Sequence, residues 1–208
     1  MMRNRIIPSL ASAKQLYLAK ELLKVEANGF QEIHLDIEDG NFVNNITFGL
    51  ATIQELRYLT TMSFNIHLMV TQPEKYVKLL VDYLPCTVFI HAESCQNLAE
   101  LIFYCQQNNI KVGLAFLPTT SLIEYAYLIK RTSMLLLMTS EPDGQGQMFI
   151  EEMSEKISKT RQSFPKQELW VDGDITMERA QRLRTIGVEK FVMGREIFRT
   201  ENSKTELI

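Results

Sequence analysis

A closed (β/α)8 barrel, the TIM-barrel class, is the fold that the sequence predicts, and three observations point to it. Short apolar runs alternate with longer amphipathic ones through eight successive units. Strict alternation of this kind gives parallel strands joined by helical crossovers. The strand-like runs are nearly all apolar, as expected of strands covered on both faces. At 208 residues the chain sits at the lower end of the size range for such a barrel. An open doubly wound sheet would share the alternation, but eight units favour closure. No linker or shift in composition divides the chain, so residues 1–208 read as a single domain.

The elements follow in order. Residues 6–10 read as the first strand and 13–27 as a helix, stopped by Asn28-Gly29. Residues 32–37 form the second strand, 38–48 a polar loop, and 51–59 return to helical period. A strand at 64–70 precedes Pro73, which opens a helix to about residue 84 as proline does at a first helical position. The pattern continues with strand 87–91, helix 96–108, strand 110–116 and helix 121–130. Strand 134–138 leads into a glycine-containing loop at 140–147 and a helix at 150–163. Strand 168–171, helix 177–185 and strand 189–193 complete the series, with a clipped helix from Arg195.

Composition narrows the function. The net charge is −3, with no basic stripe, so nucleic acid is not an expected partner. No run approaches the length of a membrane span, and no secretory signal is expected from the first residues. The three cysteines, Cys86, Cys95 and Cys105, are odd in number and lack a CxxC spacing. They read as reduced, small apolar fillers in a cytoplasmic protein.

In such a barrel, functional groups belong at the C-terminal ends of the strands. All three histidines read as lying there: His34 near the end of the second strand, His67 in the latter half of the third, His91 ending the fourth. Asp36, Asp172 and Ser9 join them. His34 and Asp36 are two apart on a strand and so face the same side. Imidazoles and carboxylates converging on one rim suit one divalent ion such as zinc, manganese, iron(II) or cobalt. Plainer readings stand beside this one: His91 with Glu93 as a structural pair, His67 as a core histidine, Asp36 as a turn cap. Three segments suit an anion: the run Asp143, Gly144, Gln145, Gly146, then Gly173, then Gly194. Glycine there admits backbone N–H groups to phosphate oxygens, although each glycine could equally serve a tight turn.

These residues resemble the ribulose-phosphate 3-epimerase family. The matching stretches include Pro8 to Ala13, HLDIEDGNFVNNITFG at 34–49, HLMV at 67–70, HAE at 91–93, VDG at 171–173 and Met193-Gly194. They run in order over almost the whole chain. The resemblance implies a ribulose-phosphate-binding barrel whose metal is held by His34, Asp36, His67 and Asp172. It implies that Asp36 and Asp172 are the acid/base pair inverting C3 of a ketose phosphate through a metal-stabilised enediolate. It places Ser9, His67, Met69 and Met138 against the substrate. The phosphate would meet Asp143, Gly144, Gln145 and Gly146, completed by Gly173, Asp174, Gly194 and Arg195. It also implies a homo-oligomer acting on a small-molecule sugar phosphate.

Proton removal from one face of a carbon and return to the other needs two groups flanking it, as two carboxylates can do. A metal bridging the ketone and hydroxyl oxygens would hold the developing charge.

The departures fall mostly at the phosphate end, with Glu38 near the metal residues, where it adds an unmatched carboxylate or points to solvent. Glu38 stands where the family has methionine and Asn44 where it has proline. Asp143 and Asp174 bring negative charge, and Arg195 replaces serine. Arg195 could offset Asp174 by pairing with it, or grip a phosphate. These changes predict intact acid/base machinery with shifted recognition: another sugar phosphate or an unphosphorylated sugar. A catalytically reduced sugar-phosphate-binding protein and a metal-dependent aldolase or hydrolase on the same fold are the competing classes.

Overall fold

A computed structural model describes residues 2–81, 86–142 and 148–198. Eight parallel strands form one sheet in the order β1-β8-β7-β6-β5-β4-β3-β2. They are β1 (Ile6–Pro8), β2 (Glu32–Glu38), β3 (Ser63–Met69), β4 (Cys86–His91), β5 (Lys111–Phe116), β6 (Met134–Met138), β7 (Glu168–Asp172) and β8 (Lys190–Met193). Between or after them lie α1 (Leu18–Ala27), α2 (Leu50–Leu59), α3 (Pro73–Leu80), α4 (Leu98–Gln107), α5 (Ala126–Ile129), α6 (Met153–Ser163), α7 (Met177–Thr185) and α8 (Arg195–Phe198). The ladders leave one seam, between β1 and β2, which a parallel bridge from Ser9 to His34 closes. Below that bridge Lys190 Nζ reaches both Glu32 Oε1 at 2.5 Å and the Asn4 carbonyl at 3.1 Å. This is the expected (β/α)8 barrel.

The period-two alternation of the strands sorts their side chains into two cores. Outward residues such as Ile33, Leu35, Phe64, Ile66, Val88, Leu114 and Val171 meet the helices in one large cluster. The inward set Ile7, Phe89, Ala115, Met134, Leu136, Trp170 and Val192 forms a separate plug inside the barrel. Gly113 makes room for it: a Cβ there would lie 2.5 Å from the Phe89 ring. On β2 and β3 the same inward row continues with polar residues, His34, Asp36 and Glu38 opposite Asn65, His67 and Met69. The plug is therefore a floor, and the polar row stands on it.

The helices lie where their apolar stripes dictate. Pro73, Val77 and Leu80 of α3, and Met153, Ile157 and Thr160 of α6, are buried at helical spacing. α1 ends where expected, with Gly29 at φ +80, a left-handed conformation that suits glycine.

Several boundaries differ from the sequence reading. The first strand ends at Pro8, because Ser9 caps a 3-10 turn at Leu10–Ser12 by accepting from the Ala11 amide. A second 3-10 turn at Gln15–Tyr17 delays the first helix to Leu18. The helix expected at 121–130 divides into a 3-10 turn, Ile123–Tyr125, and the single turn of α5. Only Leu122 and Ile129 of that span are buried, too few to anchor a longer helix. β2 runs one residue further than expected, to Glu38, and β7 one further, to Asp172. His34, the third residue of β2, lies in the first half of its strand rather than near its end. All three cysteines are free thiols, with Cys86 and Cys105 buried. Among the described residues no helix is long and apolar enough to cross a membrane.

Candidate metal and substrate site

The C-terminal ends of β1, β2, β3, β6, β7 and β8 enclose a cavity of about 520 Å³. Ser9, Asp36, Met69, Met138, Asp172, Gly173, Asp174, Gly194 and Arg195 all line it, together with Glu38. His34 and His67 lie fully buried beneath, just above the Phe89 and Trp170 floor. Asp143, Gly144, Gln145 and Gly146 lie outside the described residues.

Four side chains converge under the cavity. His34, Asp36, His67 and Asp172 each offer a ligand atom, and these atoms lie within 4.8 Å of one another. His34 Nε2 is 3.2 Å from Asp36 Oδ1 and 3.5 Å from Asp172 Oδ2. His67 Nδ1 is 3.2 Å and 3.4 Å from the same two oxygens. Strand register explains the convergence: Asp36 pairs with His67 across β2 and β3, and Asp172 arrives from β7. Neither nitrogen of His34 makes a hydrogen bond, although the ring is fully buried. A buried polar atom without a partner is costly. A cation between His34 Nε2, His67 Nδ1 and the two carboxylates would give Nε2 the partner it lacks, so the donor set fits a divalent metal ion of the N/O-ligand class.

The electrostatics are consistent with that fit. Burial pulls the His34 imidazolium down, but Asp36 and Asp172 outweigh it and carry its pKa up to about 10. Burial raises the Asp36 carboxyl, yet His34 and His67 more than reverse this and hold it far below the carboxylate range. The pocket thus favours positive charge between its carboxylates. The second oxygen of Asp36 accepts a hydrogen bond from Ser9 Oγ at 2.6 Å.

Glu38 adds a further carboxylate at the cavity wall, beside Asp36. Burial and the nearby Asp36 push its pKa up to about 7, against the Asn45 amide that donates to it at 2.6 Å. Its signal in the sequence was its place two residues after Asp36 on the same strand face.

The β7 and β8 end of the cavity is also charged. Asp174, at φ +53, accepts from the Phe149 amide at 3.1 Å, from Arg195 Nη2 at 2.6 Å and from Arg179 Nη1. Arg195 therefore pairs with Asp174, one of the two roles open to it. Arg179 was missed: it lies on α7, where a basic residue reads as an ordinary helix surface. Gly173 and Gly194 are there for close approach. A Cβ at Gly173 would lie 2.6 Å from the Ser140 backbone, and one at Gly194 would collide with Ser12.

Behind the centre, His91 Nδ1 is 3.1 Å from Glu93 Oε2, as the structural-pair reading has it. Burial lowers the His91 pKa to about 4 despite that carboxylate. His91 Nε2 is also 2.9 Å from His67 Nε2, a contact that single-residue reasoning could not anticipate.

Comparison with known proteins agrees with this architecture. A family model described as the ribulose-phosphate 3 epimerase family matches residues 5–198. The ribulose-phosphate 3-epimerase of Chlamydia muridarum is 30% identical over 203 residues, covering 95% of this chain and 89% of that protein. The cytoplasmic isoform of Oryza sativa is 33% identical over 198 residues, 93% of this chain and 87% of that protein. Among solved structures, the N-acetylmannosamine-6-phosphate 2-epimerase of Clostridium perfringens superposes with a TM-score of 0.66 at 16% identity. It covers 97% of this chain and 91% of that one, a likeness of fold alone.

Proposed function

The chain belongs to the ribulose-phosphate 3-epimerase family of carbohydrate isomerases, and from that premise we propose that it inverts C3 of a ketose phosphate with the aid of one divalent metal ion. The observation that carries this reading is the cluster of His34, Asp36, His67 and Asp172 beneath the cavity, with the His34 nitrogens otherwise unpartnered. These four residues would hold the ion. When bound, it supplies positive charge against the negative charge that builds on the sugar oxygens as the C3 proton leaves.

The protein's own groups do the rest. Asp36 and Asp172 come from strands separated by β1 and β8, so their carboxylates can flank a sugar carbon. One takes the proton and the other returns one to the opposite face. Ser9, donating to Asp36 Oδ2, holds that carboxylate in one orientation. Met69 and Met138 line the cavity with apolar surface, limiting water around the reacting carbon.

The test is exchange chemistry. Protein loaded with zinc, manganese, iron(II) or cobalt is incubated in D2O with D-ribulose 5-phosphate, and loss of the C3 proton is followed by NMR. Wild type exchanges it. Asp36→Asn and Asp172→Asn each lose at least a hundredfold, the low end of what a positioned acid or base contributes. Unchanged exchange in both variants would refute the two-aspartate reading.

A second reading concerns the substrate and rests on Asp174. Its carboxylate already occupies Arg195, a cationic side chain of the cavity lining that a phosphate could otherwise engage, and is itself held there by Arg179 and the Phe149 amide. This arrangement favours a sugar with a less charged end. Comparing kcat/KM for D-ribulose 5-phosphate and the free ketose decides between the two. Ordinary enzyme rates on the phosphate ester would remove the second reading.

A further inference from the structure

We propose that His91 and Glu93 are positioning residues that fix the tautomer of His67, so that its Nδ1 lone pair faces the metal position. This rests on the metal reading above and extends it to two residues that touch neither substrate nor metal.

The argument follows protons along one line of contacts. Glu93 Oε1 accepts from the Leu117 amide at 2.8 Å, which fixes the carboxylate. Lys156 holds the same loop from outside, donating to the carbonyls of Leu117, Pro118 and Thr120. Glu93 Oε2 faces His91 Nδ1 at 3.1 Å. An ionised carboxylate only accepts, so the His91 proton belongs on Nδ1. His91 Nε2 is then an acceptor, and it lies 2.9 Å from His67 Nε2. That contact is a hydrogen bond only if His67 carries its proton on Nε2. A neutral His67 is then left with a lone pair on Nδ1, the atom that lies 3.2 Å from Asp36 Oδ1 and 3.4 Å from Asp172 Oδ2.

A lone pair against two carboxylate oxygens is repulsive unless a cation lies between them. The chain from Glu93 thus turns His67 into a ligand and withholds from it the alternative of closing the site with its own proton. Metal-bound histidines commonly need such a partner on the remote nitrogen. The rings of His67 and His91 are fully buried and nearly parallel, 18° apart, and Phe42 packs against His91 with centroids 4.8 Å apart. Water has little opportunity to replace either partner.

The first measurement uses the wild-type protein. In the zinc-loaded form, long-range proton–nitrogen NMR of the imidazoles should show His67 protonated on Nε2 and His91 on Nδ1. The opposite assignment for His91 overturns the proposal, whatever the variants do. The second is titration with Co2+ followed by visible absorption. His91→Phe keeps the ring volume but removes the acceptor, and should bind Co2+ about 10- to 100-fold more weakly. His91→Gln carries an amide oxygen in place of Nε2 and should bind within a few fold of wild type. A purely structural role would predict equal losses in both variants, accompanied by equal falls in the melting temperature of the metal-free protein. Wild-type affinity in His91→Phe, or equal losses in both, overturns the positioning role alone. If wild type binds neither zinc nor cobalt, the metal reading itself falls and this inference with it.

Discussion

The Ser9 hydroxyl shows how much a single side chain carries here. It caps the turn at Leu10–Ser12 and also donates to Asp36 at 2.6 Å. A hydrogen bond to a charged group contributes about 1.5–3 kcal/mol, and 1.36 kcal/mol is about tenfold in rate. Ser9→Ala should therefore lower the C3 exchange rate by roughly ten- to a hundredfold while the protein stays folded. A loss under twofold would show that Asp36 holds its place without it. At this scale the sequence was legible where chemistry follows strand alternation. His34 and Asp36 are two apart, and Asp36, His67 and Asp172 fall on inward positions. It was illegible where the partner comes from a distant element. Asp174 does not announce that the Phe149 amide converges on it from 25 residues away, and Arg179, only five residues on, reads as an ordinary surface residue of α7. Nor does His91 announce its contact with His67.

At the scale of elements, the loops above the strands are tied to each other, and Asp39 is the clearest tie. One carboxylate oxygen accepts from the Asn41 and Phe42 amides, the other from the Thr71 amide and hydroxyl, all at 2.9 Å. This joins the loop after β2 to the one after β3. Burial acts to raise the Asp39 pKa, but those four donors outweigh it and lower it to about 2 from an ordinary 3.8. The folded state therefore holds fewer protons than the unfolded state between those values. The stabilisation is complete above about pH 4 and is lost as pH falls towards 2. Asp39→Asn should melt below wild type at pH 6, with the gap narrowing from pH 4 to pH 2. A gap that does not change with pH would mean ionisation plays no part. Element types were readable from apolar period, whereas ends were not. Ser9 turned a predicted strand end into a cap, and the sparse burial of 121–130 shortened a predicted helix.

For the whole molecule, the two cores have different consequences. The outer cluster joins every helix to the sheet, and the inner plug joins strands from opposite walls. Among the described residues nothing in this packing offers a place to divide, so urea unfolding should be a single transition, coincident in far-UV and near-UV circular dichroism. Two separated transitions would contradict the single-domain reading. The expected homo-oligomer is tested by sedimentation across a range of protein concentrations.

The seam between β1 and β2 has a consequence for biosynthesis. β1 has its ladder with β8, and the stitch below it joins residues 186 positions apart in the chain. The first strand to leave the ribosome must therefore wait for the last. Until then β2 is an unpaired edge, and contacts this distant in sequence close slowly. Ser9 cannot settle against Asp36 until β1 has docked. A stalled or truncated chain would hold most of the barrel's residues and none of its finished site.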